Sequence, residues 1–233
     1  MSTSPNDDPV AVLLKAALTH VPFDGWSEAT FKAAISDSGL DPTLARTACP
    51  RGAVDLAVAF HSAGDKAMLE RIKATDMSAL KFREKIAAAV RFRLEAVDDK
   101  EVVRRGTSLF ALPHHAADGA KAIWGTCDKI WDALGDTSDD VNWYIKRATL
   151  SAVYSSTVLY WLGDDSIDHQ ATWAFLDRRI ENVMQFEKFK AQVNDSPFLK
   201  RVLSGPIWAL GKVKAPSKTP YQDLPGSWNR PQD

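Results

Sequence analysis

The sequence predicts an all-α protein, and three observations carry that prediction. Apolar residues recur at three- and four-residue spacing through most of the 233-residue chain, no stretch alternates apolar and polar as a half-buried strand would, and Pro and Gly fall between the periodic segments. The composition, 45% hydrophobic and 25% charged, is that of an ordinary soluble protein, so disordered and fibrous classes are excluded. A chain of this length removes roughly 70% of its unfolded surface from water and holds a core without disulfide or metal staples. No run approaches the roughly 18 apolar residues of a membrane-crossing helix.

Asp8-Pro9 sets a capping carboxylate before a Pro at the first helical position, where the missing N–H costs nothing, and opens a helix over 9–20. Asp41-Pro42 does the same for 42–49 and Ser196-Pro197 for 197–214. Gly39, Gly135 and Gly163 stand where left-handed caps would end helices over 27–38, 113–134 and 138–162, the last with its N-cap among Asp136, Thr137 and Ser138. The same period gives 53–74, 78–96, 99–111 and 168–190, about ten helices in all. The expected organisation is an N-terminal helix-turn-helix-like unit over 9–52, a larger helical bundle over 53–190, an amphipathic helix over 197–214, and a polar, Pro-rich flexible tail over 215–233.

Residues 27–49, SEATFKAAISDSGLDPTLARTAC, have the length and turn of a helix-turn-helix with Gly39 in the turn, and with long helices following they resemble the TetR type of repressor. The motif is degenerate as a DNA reader. Its second helix offers Arg46 as its only base, and Glu28, Asp37 and Asp41 against Lys32 and Arg46 leave the segment at net −1. The whole chain is also at net −1, so no basic surface is available for phosphate contacts and no nucleic-acid partner is expected.

Catalytic and metal chemistry find no support. Cys49 and Cys127 lack metal-ligand spacing and suit a reducing compartment, and the N-terminus MSTSPNDDPV has no signal-peptide core or transit-peptide pattern, which suggests a bacterial cytoplasmic protein or a mature chain. The adjacent pair His114-His115 points about 100° apart on a helix and cannot share a metal. Asp164-Asp165-Ser166-Ile167-Asp168-His169 brings no nucleophile or base with it, and Asp168 is expected to cap the helix it opens. A non-enzyme without cofactor or metal is the expectation.

The aromatic residues carry more information. On a helix over 138–162, Trp143, Arg147, Leu150, Tyr154, Val158 and Trp161 form one stripe, while Ala148, Ser151, Ala152, Ser155 and Ser156 line neighbouring sides, which suggests a buried central helix. Trp124, Trp131 and Trp161 are expected in the core. Trp143 and Tyr144, beside Asp139, Asp140, Lys146 and Arg147, are expected nearer the surface, in the residue types that concentrate interface energy. In PFLKRVLSGPIWALGKVK, residues 197–214, four bases stand without an acid, and Leu199, Val202, Leu203, Ile207, Leu210 and Val213 share a stripe with Lys200, Arg201 and Lys212 opposite or flanking it. That is the pattern of an interfacial helix on an anionic membrane surface, with Gly205-Pro206 as a kink that could turn Trp208 toward lipid.

Four segments then point to one family: VPFDGWSEATFKAA, KFREKIAAAVRFRLEA, the stretch from LFALPHHAADGAKAIWGTCDKIWDALGDTSDDVNWYIKRA to YWL, and TWAFLDRRIENVMQF. They resemble the Coq-nine family of ubiquinone-biosynthesis accessory proteins. The resemblance implies a TetR-like fold that no longer serves DNA, a homodimer, and a cavity for an isoprenoid quinone or other lipid. It further implies peripheral attachment to a membrane, here the bacterial inner membrane, and assistance to the di-iron demethoxyubiquinone hydroxylase. Carried over by position, the docking patch is Asp140, Trp143, Tyr144 and Arg147, with Ile130 and Trp131 from the preceding helix. The lipid-lining set, Leu150, Tyr154, Trp161 and Trp124, comes from the stripe alone. The competing readings are a TetR-type regulator with a hydrophobic effector and a general isoprenoid carrier.

Overall fold

The structure is a computed structural model that describes residues 8–195 and residue 215. The expected amphipathic helix over 197–214 and the tail beyond residue 215 lie outside the described residues.

Among the described residues every regular element is helical. Four short helices come first: α1 (Pro9–Ala17), α2 (Val21–Asp24), α3 (Glu28–Ser38) and α4 (Pro42–Ala48). Asp8 accepts from the Val10 N–H and Asp41 from those of Thr43 and Leu44, so both Asp-Pro signals work as read. Gly39 ends α3 in the left-handed conformation, φ +68°, that a side chain would resist. Leu13, Val21, Phe31, Ala34 and Leu56 close a first core that ties this unit to the long helix behind it.

That helix is α5 (Ala53–Ala74), followed by α6 (Phe82–Glu95), α7 (Lys100–Phe110), α8 (Ala116–Ala133), α9 (Val141–Leu162) and α10 (Gln170–Asp195). Met68, Val90, Leu94, Ile130, Leu150, Trp161 and Leu176 form a second, larger core between them. Helix α9 packs on both α8 and α10, and its buried stripe follows Arg147, Leu150, Tyr154 and Trp161 as expected.

Several local expectations are corrected. The small-residue side of α9 is not enclosed: Ala148, Ala152, Leu159 and Tyr160 are exposed, so α9 is an amphipathic wall rather than a central helix. Its N-cap is Asp140, not one of residues 136–138, because Asp136 is committed to an ion-pair network. Gly163 sits at φ −100° and is not a left-handed cap. Asp168 and His169 occupy a 3₁₀ turn at φ +51° and +56°, and it is Asp164 that caps α10, accepting from Thr172 N and Oγ1. Helix α10 continues to Asp195, beyond the 168–190 expected. Ala215 donates its N–H to the Asp139 carbonyl.

Candidate functional site

Two features stand out, a half-exposed aromatic face at the α8–α9 corner and an apolar cavity inside the bundle. The face is built from the end of α8. Gly135, at φ +82°, lets the chain close a Schellman turn in which Asp136 N donates to the Trp131 carbonyl and Gly135 N to that of Asp132. This sets Asp136 in line with Asp128 and Asp132, which lie eight and four residues earlier on one side of the helix. Into that line α9 inserts Arg147, 0% exposed: Nε donates to Asp128, Nη2 to Asp132 at 3.1 Å, and Nη1 to Asp136 at 3.0 Å and to the Trp143 carbonyl at 3.2 Å. Lys146 adds bonds to Asp136 and Ser138. Burial alone would raise the Asp136 carboxyl, but the bonds from Lys146, Ser138 and Arg147 outweigh it and hold the group down at about 2.

A buried guanidinium demands this many acceptors, since an uncompensated charge there would cost several kcal/mol. Once satisfied, it becomes a platform. The Trp143 ring lies over Arg147, 4.0 Å from the guanidinium carbon to the ring centroid. Tyr144 meets Trp143 edge to face at 4.7 Å, and Trp124 closes the group at 5.9 Å from Trp143.

The expected docking set therefore divides. Asp140 is exposed and Trp143 and Tyr144 are half-buried, whereas Arg147 and Ile130 are fully buried and Trp131 nearly so. Arg147, Ile130 and Trp131 thus lie beneath the face rather than on it. Arg147 holds the face from beneath, Ile130 belongs to the core, and Trp131 donates from Nε1 to the Lys146 carbonyl.

The cavity, about 420 Å³, lies between α5, α6, α7, α8 and α9, with walls that include Phe60, Val102, Phe110, Ile123 and Val158. Its inner end is polar. Arg93 donates from Nε to Asp65 and from Nη2 to the His61 carbonyl; Thr126 and Lys129 donate to Asp65 as well. Burial, with the Arg93 charge nearby, lowers His61 to about 4, so its imidazole is neutral at pH 7. Of the expected lipid-lining residues only Tyr154 reaches this cavity. Leu150 faces a separate groove between α6, α9 and α10, Trp161 packs in the core beneath Lys100, and Trp124 belongs to the aromatic face. A single stripe cannot line one chamber because consecutive turns of α9 meet different neighbouring helices.

Sequence reasoning overlooked Asp65, His61 and Arg93. The available signal was polarity on an apolar stripe: Asp65 shares a face with Met68 and Ile72, and Arg93 with Val90 and Leu94.

Comparison with known proteins places these features. Residues 116–187 match the family model described as COQ9. The probable mitochondrial ubiquinone biosynthesis protein coq9 of Dictyostelium discoideum is 30% identical over 194 residues, which cover 79% of this chain and 62% of that protein. The mitochondrial ubiquinone biosynthesis proteins COQ9 of Drosophila melanogaster and Homo sapiens are 30% and 28% identical, over 82% and 79% of this chain. The chain contains a COQ9-family domain. It spans about 62% of the length of the Dictyostelium and Drosophila relatives and 60% of the human one. The COQ9-matched segment takes in α8, α9 and much of α10, and so contains Arg147, its three aspartates and the aromatic face, while α5, α6 and α7 supply the remaining cavity walls from outside it.

Among solved structures, the TetR transcriptional regulator from Nitrosomonas europaea superimposes with a TM-score of 0.62 at 18% identity, over 75% of this chain and 97% of that one. This likeness concerns the fold, and the TetR-like architecture expected from the family resemblance is present. In its helix-turn-helix position, Arg46, the one base of α4, pairs with Glu28 and lies over the Phe31 ring. No helix among the described residues is long and apolar enough to cross a membrane.

Proposed function

We propose that this protein is a non-catalytic accessory of ubiquinone biosynthesis that takes prenylated quinone intermediates from a membrane and presents them to the di-iron demethoxyubiquinone hydroxylase. The observation that carries the reading is the apolar cavity enclosed by α5 to α9, in a chain whose curated relatives are named for ubiquinone biosynthesis. A polyprenyl chain resists leaving the bilayer by about 0.8 kcal/mol per CH2, so a protein that offers the chain an apolar chamber lowers the access barrier without changing a bond. The aromatic face of Trp143 and Tyr144, with exposed Asp140 beside it, is the proposed docking surface for the hydroxylase, and Arg147 stiffens it from below. Residues 197–214 are the proposed attachment to the anionic inner-membrane surface, and a homodimer is the proposed working form. The regulator reading is weakened by Arg46, whose charge is spent on Glu28.

Mass spectrometry of lipids copurifying with the native protein is expected to find a prenylated quinone or its ring precursor, and an apolar chamber that copurifies empty from quinone-replete cells overturns the reading. Deleting residues 197–214 is expected to abolish flotation with anionic liposomes; undiminished flotation would remove the membrane role.

A further inference from the structure

The polar end of the cavity is more than a structural ion pair. Tyr154 is only 4% exposed and lines the chamber, yet its hydroxyl forms no hydrogen bond with any described residue. Its neighbours include the charges of Arg93 and Asp65. Arg93, also 4% exposed, uses Nε and Nη2 and leaves Nη1 without a hydrogen bond. Among the described residues the fully buried polar side-chain atoms without a partner are Ser151 Oγ and Arg179 Nε; the Tyr154 hydroxyl and Arg93 Nη1 are not among them and keep surface open to a guest. Both groups stand where the wall turns from apolar to polar.

The rest of the chamber gives a direction. From Tyr154 along α9, Val158 is half-buried and Leu159 is 61% exposed, and Ala111, Ala116 and Ala120, at the turn between α7 and α8, are exposed cavity walls. The mouth is therefore apolar and the inner end polar. Arg93, the buried cation, has Asp65 as its counter-ion; Lys129, which shares that carboxylate, is half-exposed and solvated, so the inner end offers donors while its buried charge is paired.

We propose that the cavity binds its ligand head first, holding a neutral oxygen-bearing ring, quinone or phenol, against the Tyr154 hydroxyl beside Arg93, with the hydrocarbon chain running out past Val158 and Leu159. This rests on the lipid-carrier reading above and assigns its ligand a head, an orientation and a specificity-determining residue. It disfavours a phosphate head, whose desolvation is not repaid where Arg93 is already paired with Asp65.

Calorimetric titration with three probes of equal chain length tests it: decylbenzoquinone, decylbenzene and decyl phosphate. The wild-type protein is expected to bind the quinone about tenfold more tightly than decylbenzene, and the phosphate no better than decylbenzene. Tyr154→Phe, which removes only the hydroxyl, is expected to weaken the quinone about fivefold and to leave decylbenzene within about twofold, the size of one neutral hydrogen bond. Val158→Trp, which fills the chamber, is expected to abolish binding of both. Should Tyr154→Phe weaken the two probes alike or leave the quinone unchanged, or should the phosphate bind best, the head-first assignment falls and the lipid chamber stands. Failure of every probe to bind the wild type would overturn both.

Discussion

Arg147 shows how far a residue's role depends on what lies beneath the surface. Its place beside Trp143 in a charged, aromatic turn suggests a contact residue, but the fold draws it into a line of three aspartates and leaves Trp143 on top. Arg147→Glu would therefore place a fourth carboxylate in that line and disrupt the bundle, which makes it a poor test of docking. Asp136 gives a cleaner measurement. Its carboxyl is held at about 2, below the unfolded value of about 3.9, so its stabilisation is complete above about pH 4 and is lost as pH falls through about 2. Asp136→Asn is expected to lower stability by roughly 2–3 kcal/mol at pH 7, with the gap to wild type closing as pH falls toward about 2; urea titrations across that range check it.

At the scale of elements, capping signals were legible because they act over three or four residues: Asp8-Pro9, Asp41-Pro42, Gly39 and Gly135 all stand where their chemistry placed them. The start of α9 was misplaced because two carboxylates competed for it and a distant arginine took one. Asp140, left with the cap, therefore combines a structural and a proposed docking role, which substitution can separate. Asp140→Ser is expected to keep the helix end and Asp140→Ala to cost about 1 kcal/mol. If the charge serves docking, both weaken association with the hydroxylase. Trp143→Ala is expected to abolish that association with a small change in melting temperature, and unchanged association would reduce the protein to a general carrier.

For the whole molecule, the cavity joins two otherwise separate cores. Trp26 and Val102 belong to the N-terminal core and Leu94 and Tyr154 to the larger one, and all four line the chamber. A bound ligand would stabilise the assembled bundle over any partly opened form. Cys127 reports such opening. It is fully buried, and burial raises its thiol to about 12, so reaction with a thiol reagent requires unfolding around α8. Adding decylbenzoquinone at saturating concentration is expected to slow that reaction at least tenfold; an unchanged rate would mean that ligand binding and bundle stability are not linked.

Helix type, the degenerate charge of the N-terminal motif and the part-exposed setting of Trp143 and Tyr144 were determined by sequence alone, because periodicity, capping and charge are short-range properties of the chain; the family resemblance was legible in four segments. The division of one stripe among a core, a groove and a cavity was decided only by tertiary structure, as were the burial of Arg147 and the meeting of His61, Asp65, Arg93 and Tyr154. Those outcomes depend on which helix faces each turn of α9, and a helix's own sequence shows which face is apolar without showing what that face will meet.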